Sequence, residues 1–194
     1  MTVHGGAEVA PLRQRMVAAA VVMTTTDGWS HVTMSRLAEA VGVSRQTVYN
    51  EIGTKNALAE AMILGELENF LAVVSHAFDE HPDDLPDAVE AAISAVLELA
   101  RDNRLLHAVV SATHGADTEL LPLLATHSTQ LLDLAKAVVG ERVATYQPPL
   151  TPAELDGAID VVVRVVLSHV MQPSGTPAQT AASLGFVARR VLEG

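Results

Sequence analysis

The chain has 194 residues, a formal net charge of −11 at pH 7 and no cysteine, which excludes disulfides, thiolate metal ligands and cysteine nucleophiles. The most apolar stretch, residues 161–171, is too short to span a bilayer, and no basic N-terminal flank precedes an apolar run, so we expect a cytoplasmic protein without a membrane segment. Hydrophobic residues make up 49% of the chain but aromatic residues only 3%, which favours a core of Ala, Val and Leu between packed helices.

The charge is divided unevenly along the chain. Residues 1–55 contain five basic and four acidic residues, a net +1, whereas the remainder contains seven basic and nineteen acidic residues, a net −12. An acidic body attached to a nearly neutral N-terminal part would orient the molecule on a polyanion, because the body is repelled. The same distribution is also typical of an acidic protein that is simply soluble.

The first two helices are predicted from their termini. Residues 1–10 lack periodicity and contain two adjacent glycines, so we expect a mobile arm. Pro11 suits the start of the helix LRQRMVAAAVVMTTTD, because the first turn does not need its missing N–H. Thr33 is a suitable N-cap for the helix MSRLAEAV, and Gly42 is a suitable end for it.

A third, short helix, RQTVYNEI, follows the predicted cap Ser44. Thr54 then precedes a long helix over residues 55–77, where apolar residues recur near the helical period. The segment DEHPDDLPD, residues 79–87, combines acidic residues with prolines and predicts a break in the helical structure.

Five further helices are predicted after this break. The Val-rich run 161–166 has strand propensity, but the unbroken span from Glu154 to Met171 is too long for an ordinary strand, so we predict a helix there. The predicted ranges are 88–103, 104–113, 118–143, 153–171 and 178–192. The sequence therefore predicts an all-α fold of about nine helices.

The second and third helices have the spacing of a helix-turn-helix. Such a motif needs a small residue where the helices cross, a glycine with positive φ in the turn, and an aliphatic anchor on the second helix. Ala38, Gly42 and Val48 meet these three requirements. With the apolar residues turned inward, the opposite side of the second helix presents Arg45, Gln46, Thr47 and Asn50.

This polar face suits the major groove of DNA. Arginine can pair with guanine, glutamine with adenine, and threonine can touch the thymine methyl group. Thr33, Tyr49 and Lys55 would then lie near phosphates, and the cap Ser44 is expected to belong to the same DNA-binding surface. An ordinary helical hairpin with a polar outer face would fit the spacing of the small, glycine and aliphatic positions as well.

The stretch TMSRLAEAVGVSRQTVYNEIGTKNAL, residues 33–58, closely resembles the DNA-binding segment of TetR-family transcriptional regulators. The resemblance extends over residues 12–65, and the C-terminal stretch from residue 162 is similar to the last two helices of actinobacterial members. It implies a helix-turn-helix DNA-binding domain at residues 1–55 and a larger helical domain for ligand binding and dimerisation at residues 56–194. The family's groove contacts fall on Arg45, Gln46 and Thr47, and its backbone contacts on Thr33, Tyr49, Asn50 and Lys55.

Two positions depart from the family pattern. Ile52 stands where many members have phenylalanine, a change within the core that we expect to be tolerated. Glu51 stands where histidine or another phosphate donor is frequent, which places a backbone contact at that position in doubt.

The resemblance also implies a homodimer joined through the last two helices of each subunit. Both helices contain an apolar stripe at helical spacing. The predicted interface residues are Leu155, Ile159, Val162 and Val166 on one helix and Leu184, Val187 and Val191 on the other. A dimer is favoured because two recognition helices read a palindromic operator on double-stranded DNA, although these stripes could also be buried within one subunit.

The family further implies a ligand pocket, and a lipophilic effector suits the Leu-, Val- and Ala-rich segment 88–139, which contains few cations. The polar candidates in this region are His107, Ser111, His114 and His127. His107 and His114 lie about two helical turns apart, but a zinc site would need a third ligand that the spacing does not supply, so we expect no metal and no cofactor.

The leading hypothesis is a ligand-responsive repressor, with two rivals. An enzyme would need a nucleophile beside a base, a phosphate-binding loop or a metal motif, and the sequence contains none of these. A helical interaction protein that has lost DNA binding is the alternative that Glu51 and the low charge of the N-terminal part keep open.

Overall fold

The computed structural model describes residues 10–112 and 120–193, and within these ranges it contains nine α-helices, one short 3₁₀ turn and no strand. The helices are α1 (Leu12–Asp27), α2 (Met34–Val41), α3 (Arg45–Glu51), α4 (Lys55–Glu80), α5 (Leu85–Asp102), α6 (Arg104–Ala112), α7 (Leu120–Ala144), α8 (Pro152–Met171) and α9 (Pro177–Glu193), with the 3₁₀ turn at Trp29–His31. The predicted all-α fold is confirmed, and the Val-rich run lies in α8. The predicted N-terminal arm falls mainly on residues outside the described ranges.

Three hydroxyl caps begin three consecutive helices, and two of them, Thr33 and Ser44, were predicted as caps. The hydroxyl oxygens of Thr33, Ser44 and Thr54 accept hydrogen bonds from the backbone N–H three residues later, at 3.2, 3.0 and 3.1 Å. These bonds satisfy N–H groups that the first turn of a helix leaves without intrahelical partners. Helices α2, α3 and α4 therefore start where a side-chain hydroxyl caps them.

The predicted break between α4 and α5 is shorter than the sequence suggested. Helix α4 continues to Glu80, and α5 already begins at Leu85 with Pro86 in its first turn, where a missing N–H costs nothing. The Asp84 carboxylate accepts a hydrogen bond from the Asp87 N–H at 2.9 Å and caps the new helix. Acidic and proline residues in this segment start a helix as well as ending one.

One hydrophobic cluster holds the N-terminal part together. It joins buried residues of α1, α2, α3, the 3₁₀ turn and the first turns of α4 as far as Met62. Its fully buried side chains include Met16, Leu37, Val48 and Leu58. Leu105 of α6 belongs to the same cluster although it lies far away in sequence. We call residues 10–62 the head and residues 63–193 the body.

The body contains two smaller hydrophobic clusters, with α5 at the centre of both. Helix α5 packs against α4 on one side and against α9 on the other. The α5–α9 contact is close at Gly185, where an added Cβ would lie 2.9 Å from the Cβ of Glu90. The Tyr146 hydroxyl donates to the Phe78 and His81 carbonyl oxygens at 3.1 and 2.7 Å and secures the C-terminal end of α4.

Candidate DNA-binding surface

The turn between α2 and α3 has the backbone geometry that the sequence predicted. Gly42 adopts a left-handed conformation with φ 75° and ψ 37°. The N–H groups of Gly42 and Val43 each donate to the Ala38 carbonyl oxygen at 3.0 Å, which closes α2. Val48 on α3 is fully buried, so one side of this helix is fixed in the core and the other faces outward.

Two arginines of α1 anchor the helix-turn-helix, and the sequence analysis did not identify them. Arg13 Nη1 donates to the Glu51 carbonyl oxygen at 2.7 Å, and Arg15 Nη2 donates to the Val41 carbonyl oxygen at 3.1 Å. Both acceptors lie at C-terminal helix ends, where carbonyl groups lack intrahelical partners and a positive charge is favourable. Because the partners are backbone atoms distant in sequence, no side-chain pattern marks these contacts.

The exposed side of α3 contains two pairs of polar side chains, each one helical turn apart. Arg45 Nη2 lies 3.3 Å from the Tyr49 hydroxyl, and its guanidinium carbon lies 5.5 Å from the centre of the Tyr49 ring. Gln46 Nε2 donates to Asn50 Oδ1 at 3.0 Å. All four side chains are exposed, so these contacts order the surface while leaving it open to a ligand.

The remaining predicted contact residues lie on α3, at the start of α2 and at the start of α4. Thr47 is half-buried, and its hydroxyl lies 2.8 Å from the Ser44 hydroxyl. Thr33 is exposed at the start of α2. The Lys55 ammonium group lies 4.8 Å from the centre of the Trp29 ring, a cation–π contact. The predicted contact residues of the head thus provide hydroxyl, amide and cationic groups.

A salt bridge next to this surface fixes the entry into α2. Arg36 Nη2 lies 2.5 Å from Asp27 Oδ2, and Arg36 Nη1 donates to the His31 carbonyl oxygen at 2.9 Å. The hydrogen bond from Arg36 holds the pKa of the Asp27 carboxyl below its usual value. Arg36 therefore ties the end of α1 and the 3₁₀ turn to α2.

The predicted interface residues occupy two different environments. Leu155, Val162 and Leu184 are half-buried and pack against the clusters of the body, while Ile159 and Val166 are 8% and 9% exposed. Val187 and Val191 are 52% and 46% exposed. The stripe on α9 therefore divides between an inner edge that packs within the subunit and an outer edge that remains at the surface.

Four further large apolar side chains on α8 and α9 are exposed, and the sequence analysis missed them. Phe186 on α9 is 59% exposed, and Val161, Leu167 and Met171 on α8 are 59%, 44% and 49% exposed. Helical spacing predicted apolar stripes on both helices, but it could not tell which side of each stripe would pack against α5. We call these four residues, together with Val187 and Val191, the outer α8–α9 face.

Of the four polar candidates for ligand binding, the structure describes the surroundings of one. The exposed side chain of His107 lines a cleft of about 310 Å³ between the C-terminal end of α5, α6 and the α8–α9 connection. His114 lies outside the described residues, as do the side-chain surroundings of Ser111 and His127.

A second, smaller groove between α4 and α7 has a volume of about 210 Å³ and is lined by Ile63, Leu64, Leu131 and Leu134 with Glu60 and Gln130.

In the part of the chain that the structure describes, no three His, Asp or Glu side chains come together as metal ligands. Within the same ranges, no helix combines the length and the hydropathy required to cross a membrane.

Two family models match the chain. One described as "Bacterial regulatory proteins, tetR family" matches residues 16–62, and one described as "Bacterial Tetracyclin repressor, C-terminal domain" matches residues 84–190. With the helix-turn-helix geometry, they define a transcriptional regulator of the DNA-binding type, a class of regulatory proteins rather than of enzymes. The chain belongs to the TetR family.

Individual relatives agree with this assignment. The chain is 28% identical over 182 residues to the HTH-type transcriptional regulator AlkX of Mycobacterium tuberculosis, across 93% of this chain and 85% of the relative. The crystal structure of the TetR family repressor AlkX from Dietzia sp., implicated in biodegradation of n-alkanes, matches with a TM-score of 0.75 and 27% identity, across 92% of this chain and 96% of that one. The fatty acid degradation regulator FadR from Bacillus halodurans matches with a TM-score of 0.54 and 18% identity, across 93% and 98%, which shows the shared fold alone.

Proposed function

We propose that this protein is a cytoplasmic transcriptional repressor that binds a palindromic operator as a homodimer and is released by a small lipophilic effector. The observation that supports it most directly is the exposed face of α3, with Arg45, Gln46 and Asn50 on a helix whose opposite side is fixed by Val48. A short polar helix held in this way can enter the major groove, where its side chains reach base edges.

The contact roles follow from the position of each group. Arg45, Gln46 and Thr47 would contact base edges, since they lie in the first turn of α3. Thr33, Tyr49, Asn50 and Lys55 would contact the sugar-phosphate backbone, and Ser44 would keep the first turn of α3 in place through its bond to Thr47. The pairs Arg45–Tyr49 and Gln46–Asn50 support this division, because each pre-orders a base-contacting side chain.

The outer α8–α9 face supports the proposed homodimer. Six large apolar side chains on α8 and α9 are exposed, which is the kind of surface that a second subunit could cover. In the dimer, Val187 and Val191 would lie in the contact. The inner residues Leu155, Ile159, Val162, Val166 and Leu184 would support it from within each subunit. Two recognition helices about 34–36 Å apart would then read successive major grooves.

The α4–α7 groove supports a lipophilic effector, since four aliphatic side chains line it. The Dietzia relative, implicated in biodegradation of n-alkanes, adds support for an apolar compound. Weakening operator binding by about 100-fold needs only about 2.7 kcal/mol of coupling, so a small shift of α4 would suffice.

We place the functional boundary near residue 55, with the DNA-binding domain at residues 1–55 and the effector and dimerisation domain at residues 56–194.

The experiment is a fluorescence anisotropy titration of the protein against the DNA flanking its own gene and against scrambled DNA, at two salt concentrations. We expect tighter binding to the native DNA that weakens as the salt concentration rises, because phosphate contacts release counterions. Arg45→Ala should lower the affinity for the native DNA about 10- to 100-fold, since one bidentate base contact is worth roughly 1–3 kcal/mol.

Arg142→Ala is the matched control, because it removes an arginine whose salt bridge to Asp79 lies in the body. It should leave DNA binding unchanged. If neither the flanking DNA nor a genome-wide fragment selection yields a preferred sequence, the repressor proposal fails. The interaction-protein alternative, with Glu51 repelling phosphates from an exposed position on α3, would then take its place.

A further inference from the structure

The cleft beside α6 differs from the α4–α7 groove in the chemistry of its walls. Arg101, His107, His169 and Thr180 provide its polar side chains, and each of these can donate a hydrogen bond. No carboxylate is present among the described residues that line it. The chain from residue 56 onward carries a net −12, so a lining that offers these donors and, among the described residues, no carboxylate is suited to an anion.

Arg101 and His169 can each form a further hydrogen bond to a ligand. Arg101 engages Asp102 through Nε and Nη2 at 3.1 Å each, which leaves the Nη1 side of the guanidinium for a second acceptor. His169 Nδ1 lies 3.2 Å from the Ser174 hydroxyl. This contact orients the imidazole ring and leaves Nε2 for a contact with a ligand. An arginine pre-positioned by a carboxylate and an oriented imidazole are suitable partners for a carboxylate group.

The rest of the cleft is apolar and small. Leu97, Leu106, Val170 and Met171 line it together with two prolines. Its volume of about 310 Å³ lies at the lower end of the roughly 300–1,000 Å³ that ligand pockets occupy. This size fits a compact molecule of about one ring rather than a long chain.

Helix α6 connects the cleft to the head. Leu106 and His107 line the cleft, whereas the adjacent Leu105 is 7% exposed and belongs to the hydrophobic cluster of the head. Trp29, the only tryptophan of the chain, is 2% exposed in that same cluster. A ligand that moves α6 would therefore change the packing of the head and the environment of Trp29.

We propose that this cleft is a binding site for a compact organic anion, a carboxylate attached to an apolar group of about one ring, and that its occupancy is transmitted to the head through Leu105. The binding stands independently of DNA, whereas its regulatory consequence rests on the proposed repressor function. The site is distinct from the α4–α7 groove, since the two share no lining residue.

The test uses benzoate as the probe and benzamide as its neutral counterpart. Calorimetric titration of the full-length protein should give saturable benzoate binding at least about tenfold tighter than benzamide binding, since a hydrogen bond between charged groups is the stronger kind. Benzoate should also change the emission of Trp29 excited at 295 nm. Equal binding of the two probes would overturn the proposed site, and benzoate binding without a change in emission would overturn the transmission through Leu105.

The variants locate the binding. Arg101→Met keeps the aliphatic part of the side chain and should weaken benzoate binding about tenfold, as should His169→Leu. Arg142→Met is the matched control outside the cleft and should bind benzoate like the parent protein. Equal benzoate affinity in Arg101→Met and Arg142→Met would overturn the assignment.

Operator binding without benzoate should be the same in all three variants and the parent. Loss of operator preference in the parent would instead count against the repressor proposal alone.

Discussion

The head and the body differ in how many of their large apolar side chains are exposed. Ten large hydrophobic residues are exposed in the described part of the chain, and only Val22 and Tyr49 lie in the head, whereas eight lie in the body. The head has one continuous core that buries or half-buries its large apolar side chains other than Val22 and Tyr49, so most of its outer surface is polar. The body divides its interior into two smaller clusters and leaves apolar surface on α4, α7, α8 and α9.

This difference fits the contacts that we propose for each region. A surface for DNA works through hydrogen bonds and charge, so it needs a rigid support and no exposed apolar area. A surface for a second subunit or an apolar ligand works by removing apolar area from water, so it stays exposed until the partner arrives. The body is thus the region whose stability should depend on what binds to it.

The largest expected effect is the loss of stability when a leucine side chain is truncated in the head rather than in the body. Leu37→Ala removes a fully buried side chain from the head and should lower the free energy of unfolding by about 2–5 kcal/mol. The matched control is Leu64→Ala in the body, where the side chain is 48% exposed and the expected loss is below about 0.5 kcal/mol. Urea denaturation followed by Trp29 fluorescence measures both, and equal losses would contradict the contrast between the regions.

A smaller effect concerns backbone conformation. Gly42→Ala places a side chain at φ 75°, where an added Cβ has open space, so the expected cost of about 1–2 kcal/mol comes from the left-handed conformation alone. Gly65→Ala also meets open space, but its helical backbone should make the same change stabilising by about 0.5–1 kcal/mol. The two variants differ only in backbone conformation. Shifts of the urea midpoint in the same direction would show that the turn of the helix-turn-helix does not require glycine.

The smallest effect is the pH dependence of the head. The hydrogen bond from Arg36 lowers the pKa of Asp27 below 3.8, so the contribution of this pair is present above that pH and is lost as the pH falls through the lower pKa of the folded state. Asp27→Asn should therefore make the stability of the head less dependent on pH in this acid range, as measured by urea denaturation with Trp29 emission.

Asp160→Asn is the control in the body, where hydrogen bonds from Arg164 and Lys136 likewise lower the pKa of the carboxyl. It should leave the Trp29 transition of the head unchanged below pH 3.8. The unfolding transition reported by Trp29 is compared in Asp27→Asn and Asp160→Asn. If its dependence on pH decreases equally in both variants, the head and the body unfold as a single unit.

Much of the head could be predicted because its signals are short and local. The caps Thr33, Ser44 and Thr54 each act on an N–H three residues away, and Gly42 follows from the conformation that the turn requires. The contacts of Arg13 and Arg15 could not be predicted, because their acceptors are backbone carbonyl oxygens that any sequence provides. Trp29 was missed for a related reason, since a lone aromatic residue after a helix gives no periodicity.

The sequence by itself determined that the chain is helical, where the helices of the head begin, and which helix presents polar groups suited to DNA. These features depend on hydrogen bonds and spacings within a few residues. Only the tertiary structure decided which edge of each apolar stripe is buried, so that Ile159 and Val166 became core while Val161 and Phe186 stayed exposed. It also decided that α6 contacts the head through Leu105 while His107 lines a cleft. Helical periodicity identifies an apolar face, but the neighbour that covers it depends on packing between segments far apart in the chain.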